Sequence, residues 1–220
     1  MKRPIPFLAL VAALALSACG TTIQAQVQSF TAGEQIAPGE TVFVLPGVPP
    51  QQQTLETQSW VALAQQEFRK RGYIVTNDPN RATLKAAISL GIDNGRDVTS
   101  TFAVPQFGVT GYSGAQTFGT MNSFGNTATY SSNTTLTPQY GVTGYIPGSR
   151  TDRVFGRTGM LVMARFDPAG NMRVVFDSRI RSNGSCGNLA VIAPELVQAL
   201  FSKFPAGGAG AVELPMAGQC

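Results

Sequence analysis

A two-residue alternation runs through residues 82–92, where Ala82, Leu84, Ala86, Ile88, Leu90 and Ile92 are apolar and Thr83, Lys85, Ser89 and Asp93 are not. Successive side chains of a strand leave opposite faces, so the segment is expected to be a strand with one buried face. The same period returns on either side of residue 170. Met160, Val162, Ala164 and Phe166 are predicted to share one face, Asp167-Pro168-Ala169-Gly170-Asn171 to turn the chain, and Met172, Val174, Phe176, Ser178 and Ile180 to share a face on the return. Pattern and turn chemistry together predict an antiparallel hairpin. Arg165, Arg173, Asp177, Arg179 and Arg181 belong to its wetter side. Short β-rich runs at residues 41–45, stopped by Pro46-Gly47, and 73–75, stopped by Asn77-Asp78-Pro79, complete the expected strands.

The period changes to that of a helix in two places. Trp60, Val61, Ala64 and Phe68 recur at helical spacing within residues 55–71, with Gln65, Gln66, Arg69 and Lys70 left for water. Basic side chains in the last turn and Gly72 beyond it mark the stop. A second helix is expected over residues 189–204, where Leu189, Ile192, Leu196, Val197, Leu200, Phe201 and Phe204 form a broad stripe ended by Pro205. Pro194 lies inside that span and lacks the amide a helix interior needs, so either a kink or a true start near Ala193 is expected. The pattern predicts an α+β fold: a two-layer antiparallel sheet of four to six strands with two helices packed on one face, and a single domain over residues 41–205. Residues 206–220 are Gly/Ala-rich and read as a C-terminal tail.

Residues 99–150 interrupt this pattern. They are nearly free of charge and dense in Gly, Ser, Thr, Asn, Tyr and Phe. Pro105-Gln106-Phe107-Gly108-Val109-Thr110-Gly111-Tyr112 recurs as Pro138-Gln139-Tyr140-Gly141-Val142-Thr143-Gly144-Tyr145, differing only at Phe/Tyr. Two copies are too few for a solenoid; they read as two arms of one long hairpin or excursion, pairing or mirroring each other around the Ser/Asn/Thr-rich centre at residues 113–135. One reading is a tolerated low-complexity insertion. The other is a binding surface made of Phe107, Tyr112, Tyr140 and Tyr145, rings that offer large contact area at small entropic cost. Gly108, Gly111, Gly141 and Gly144 have no Lys or helix start at the spacing a phosphate cradle needs, so no nucleotide is expected.

The N-terminus shapes the chemistry. Lys2 and Arg3 precede an apolar run at residues 7–16, too short to cross a bilayer and fitting the core of a signal peptide. Leu16-Ser17-Ala18-Cys19 resembles the lipobox of bacterial lipoproteins, which implies cleavage after residue 18, recognition through Leu16, Ser17 and Ala18, and acylation of Cys19. Multiple acyl chains hold a protein stably to a membrane. Gly20 stands where enteric lipoproteins retained in the inner membrane commonly carry aspartate, which implies the periplasmic side of an outer membrane. Residues 19–40 then read as a Gln/Thr-rich tether. Loss of Lys2 and Arg3 lowers the 16 basic side chains to 14 against 12 acidic ones, too even a balance to call for nucleic acid. Histidine is absent, which excludes His-based triads and His-containing metal sites. Neither a catalytic residue, a metal nor a cofactor is expected. Cys186 and Cys220 remain for one disulfide in an oxidising compartment, with two free thiols or an intermolecular bridge as the alternatives.

The order of lipobox, tether, Val/Phe strand and helix leading through residues 68–73, then the strand at 82–92 and a last helix closing on Phe204-Pro205, resembles the bacterial lipoproteins of the DUF4136 type. Residues 41–49 depart from it, with Val42-Phe43-Val44-Leu45-Pro46 where a Tyr-x-Trp-like step is expected. The resemblance implies location and fold more than activity. The expected function is a non-enzymatic envelope lipoprotein that meets membrane lipid through Cys19 and binds an envelope protein or peptidoglycan. The alternatives are a glycan- or cell-wall-modifying enzyme using carboxylates among Asp93, Asp97, Asp152, Asp167 and Asp177, and a regulator of a cell-wall synthase.

Overall fold

The structure is a computed structural model that describes residues 22–167 and 170–220. The signal peptide and Cys19 lie outside the described residues, as do Pro168 and Ala169 of the predicted turn. The chain divides into two units, residues 97–152 and the rest.

The larger unit is built on a mixed sheet in the order β3-β2-β4-β6-β7-β1-β8, with β5 (Arg96–Phe124) pairing β6 outside that path. Its elements are β1 (Thr22–Thr31), β2 (Thr41–Pro46), a 3-10 turn (Pro50–Gln52), α1 (Leu55–Lys70), β3 (Ile74–Val75), β4 (Leu84–Ile92), the far part of β6 (Thr127–Phe166), β7 (Met172–Gly184), α2 (Leu189–Leu200) and β8 (Gly208–Pro215). The α+β class holds, but the sheet has eight strands with β5 included and is not wholly antiparallel. β2 runs parallel to both β3 and β4, because α1 carries the chain back along the sheet between β2 and β3, the crossover a parallel pair requires.

Two strands replace segments read as irregular. The expected tether is occupied by β1, which lies between β7 and β8. Ile23, Ala25, Val27 and Ser29 of β1 are buried while Gln24, Gln26 and Gln28 are exposed, a clean period of two. The expected tail contributes β8, which completes the edge beside β1.

α1 starts at Thr54, whose side chain accepts from the Thr57 amide while Thr57 caps back onto the Thr54 amide. It ends at Gly72, φ +83°, where the Gly72 and Tyr73 amides donate to the Arg69 and Phe68 carbonyls. α2 starts at Leu189, with the Asn188 side chain accepting from the Ala190 amide, so the start near Ala193 does not occur and Pro194 lies inside the helix. Phe68, Trp60 and Ala64 of α1 join Ile192, Leu196, Leu200 and Phe201 of α2 in one core with Val42, Leu84, Ile88, Leu161, Phe176 and Ile180 of the sheet. Phe68 makes edge-on ring contacts with Tyr73, Phe201 and Phe204.

The predicted hairpin is present, with Phe166 paired to Met172. Phe176, Ser178 and Ile180 share a buried face on β7 as expected, and the remaining faces differ. On β6 Leu161 and Met163 are buried together with Ala164, while Met160 and Val162 are only half-buried and Phe166 is exposed. A bulge at Met163/Ala164 leaves Val175 as an extra residue on β7, and its parity change buries both Val175 and Phe176 while Met172 and Val174 turn to solvent.

Candidate functional site

The smaller unit, Asp97–Asp152, is a two-stranded antiparallel ribbon of β5 (Arg96–Phe124) and the near part of β6. Gly125 at φ +59° turns it, followed by Asn126 at negative φ, the sign pattern of a type II′ turn whose twist suits a two-residue hairpin. Threonine hydroxyls face one another across it, Thr99 with Thr151 at 2.8 Å and Thr117 with Thr134 at 2.9 Å. Residues 98–149 contain no charged side chain.

The two copies of the repeat lie against each other. A Cβ on Gly108 would sit 3.1 Å from Thr143 Cγ2, and one on Gly141 would sit 3.1 Å from Thr110 Cγ2. Thr110 Oγ1 donates to the Gln139 carbonyl at 3.4 Å, and Thr143 Oγ1 donates to the Gln106 carbonyl at 3.3 Å. Each contact is the other's image when the copies are exchanged, so a local two-fold axis passes between Val109 and Val142. The glycines make room for the threonine methyls of the opposite copy.

Strand alternation then divides the four expected surface rings between two faces. Tyr112 and Tyr145 lie on the face of the Gly/Thr pairs. Phe107 and Tyr140 lie on the opposite face with Val109 and Val142. All four rings are open to solvent, at 72% for Phe107, 61% for Tyr112, 75% for Tyr140 and 68% for Tyr145. The surface read from the sequence is therefore two surfaces, each carrying one ring from each copy.

Four of the five carboxylates considered for catalysis have partners of their own. Asp93 Oδ1 accepts from the amides of Gly95 and Gly156, and these hydrogen bonds hold its carboxyl below the ordinary aspartate value. Asp152 pairs with Arg150 and Asp177 with Arg179. Asp167 accepts from the Asn171 amide in the turn. The depressions lined by Asp93 and by Asp167 contain no second carboxylate of this set.

Cys186 and Cys220 form a disulfide. Beside it lies a residue that sequence reasoning did not single out. Arg157, opposite Ser182 in the β6–β7 register, is 3% exposed and donates from Nε (3.2 Å) and Nη2 (2.8 Å) to the Cys186 carbonyl. Burial pushes its guanidinium below the ordinary arginine value. Gly184 is close enough that a Cβ there would stand 2.8 Å from Nη2 and 3.0 Å from Nη1. A cavity of about 480 Å³ is lined by Arg157, Thr22, Asn183, Ser185, Gln219 and the disulfide among others. No local motif marks Arg157, since its burial comes from the pairing of strands distant in sequence.

Neither a family model nor a curated relative matches the chain. Among solved structures, a PDZ domain protein from Parabacteroides distasonis ATCC 8503 is 12% identical with a TM-score of 0.47, covering 94% of this chain and 42% of that one. A PelC dodecamer from Paraburkholderia phytofirmans is 16% identical with a TM-score of 0.38, covering 81% of this chain and 95% of that one. This chain thus spans less than half the length of the first. Likenesses this distant carry no argument about what the protein does.

Proposed function

We propose that this protein is a non-enzymatic lipoprotein of the DUF4136 type, anchored through acylated Cys19 to the periplasmic side of the outer membrane, whose ribbon binds another component of the envelope. The reading takes the larger unit as a two-layer body with both helices on one sheet face. The observation that supports the binding role is the ribbon itself, uncharged through residues 98–149 and presenting Phe107, Tyr112, Tyr140 and Tyr145 to solvent on two faces. Exposed aromatic and aliphatic side chains in a contiguous patch are a common mark of an interaction surface. Edge strands that stand alone usually carry charged guards, and this ribbon has none between residues 98 and 149.

The test is recovery of partners from cross-linked cells with the intact lipidated protein and with a lipidated form lacking residues 105–145. An envelope protein or peptidoglycan recovered with the first and lost with the second is the expected result, and it names the partner. Identical recovery would make the ribbon a tolerated insertion and would move the search to the larger unit.

A further inference from the structure

Arg157 is a buried charge without an acidic partner. It makes no ion pair among the described residues, and residues 1–21, 168 and 169 contain no Asp or Glu. Buried charges are ordinarily paired, because a lone one forfeits hydration that a carbonyl only partly replaces. Here one side of the guanidinium is fixed on the Cys186 carbonyl, which the disulfide ties to the C-terminal segment. Nη1 donates to no group among the described residues, and Arg157 lines a cavity whose other lining includes Thr22, Asn183, Ser185, Gln219 and Cys220. A pre-positioned guanidinium with an open N–H, in a polar cavity of about 480 Å³, matches what an oxyanion requires. Gly184 is part of this arrangement, since a side chain there would displace the guanidinium.

The position along the chain says which oxyanion is near. Thr22 lines the cavity and follows Cys19 by three residues, a stretch that reaches at most about 11 Å. With Cys19 acylated, the edge of the cavity at Thr22 stands no farther than about that distance from the anchored residue. We propose that this cavity binds the phosphate of a phospholipid headgroup through Arg157, with Asn183, Ser185 and Gln219 around the headgroup. The choice of lipid rests on the anchoring of Cys19 proposed above; the oxyanion site itself does not. Such a contact adds to the acyl anchor a second, polar one that fixes how the larger unit meets the membrane.

The purified mature protein, in a neutral maltoside detergent, is titrated with dihexanoyl-phosphatidylglycerol, with dihexanoylglycerol lacking the phosphate, and with inorganic phosphate. The readouts are the unfolding midpoint and the amide resonances of Ser185 and Gln219. The phospholipid is expected to raise the midpoint and shift both resonances, the diglyceride to do neither, and Arg157→Gln to weaken phospholipid binding roughly tenfold or more. Because Arg157 also holds the Cys186 carbonyl, Gln219→Trp is the second variant. It fills the cavity from an exposed rim, keeps Arg157, and is expected to abolish the shift at Ser185. A diglyceride response equal to that of the phospholipid, or a phospholipid response that survives both variants, overturns the site. Inorganic phosphate binding as tightly as the phospholipid overturns the lipid assignment and leaves a free-anion site. The mass of the same sample reads acylation of Cys19 separately, so an unmodified cysteine counts against the anchor while the titration still decides the cavity.

Discussion

Both units consist largely of antiparallel ladder, yet the larger one encloses Phe68, Phe176, Leu196 and their neighbours, while no residue of the ribbon is buried. The difference separates two things a sheet can do. In the larger unit apolar side chains of the sheet join those of α1 and α2 in one core. In the ribbon the ladder is satisfied internally through its own pairing, but its side chains have nothing to pack on. A two-stranded hairpin alone is marginal in water. What it has instead are cross-strand fits, the glycine–threonine nests and the threonine pairs, each a small contribution. Residue choice in the larger unit therefore answers to its own interior, whereas the exposed rings of the ribbon have no role in a core.

The largest effect that tests this contrast is Phe68→Ala. Phe68 is wholly buried and touches three other rings, so its removal is expected to cost about 4 kcal/mol in urea unfolding followed by Trp60 fluorescence. Phe107→Ala is expected to change the same transition by less than about 0.5 kcal/mol. Comparable losses from the two variants would mean that the ribbon contributes to the stability of the larger unit, and the division drawn here would fail.

The sequence shows the interior of the larger unit better than its edges. The strand at residues 82–92 and both helices stand out because local period and burial agree. β1 shows the same alternation, Ile23, Ala25, Val27 against Gln24, Gln26, Gln28, but glutamine-rich composition beside a lipobox reads as a tether. β8 is mostly glycine and alanine, and only its pairing with β1 makes it a strand. On β6 residues 160–164 are apolar at every position, so the period does not say which face is inner; on β7 the bulge turns Met172 and Val174 outward without any mark in the residues themselves. The α2 start at residue 189 is legible and Asn188 caps it there, so of the two readings of Pro194 only the later start near Ala193 fails; the helix ends at Leu200, short of the expected Phe204. The repeat was legible and its antiparallel apposition was anticipated, but the split of the four rings between two faces follows only from which glycine meets which threonine. Arg157 was invisible, since β6, β7 and the disulfide create its surroundings together.

A smaller effect sharpens the account of the larger unit. Glu67 on α1 is buried, and burial alone pushes its carboxyl up; hydrogen bonds from Lys70 and Arg71, with their charges, outweigh this and hold it below the ordinary glutamate value. The folded value lies below the unfolded one, so ionised Glu67 stabilises the fold above about pH 4.5, and that contribution is lost as pH falls through the lowered folded value. Glu67→Gln is expected to cost about 1 kcal/mol at neutral pH, little because Lys70 is well exposed, and to flatten the acid limb of stability against pH. An unchanged acid limb would show that the pair contributes nothing across that window.

The smallest change in stability carries the most information about the ribbon. Phe107→Ser with Tyr140→Ser strips the rings from one face, and Tyr112→Ser with Tyr145→Ser strips them from the other. All four positions are exposed, so each pair is expected to move the unfolding midpoint of the larger unit only within the scatter of surface substitutions, about 0.5 kcal/mol per site. Partner recovery from cross-linked cells is expected to respond unequally. The Phe107/Tyr140 face also carries Val109 and Val142, both partly exposed, and so offers a continuous apolar strip across the local two-fold. The opposite face sets its two tyrosines apart with threonine and glycine between them. Loss of the partner with the first pair and retention with the second would place the contact on the valine face, whose two-fold symmetry then predicts two equivalent half-sites for the ligand. Equal loss from both pairs would mean a partner that encloses the ribbon, and retention through both would remove the rings from the binding role proposed here.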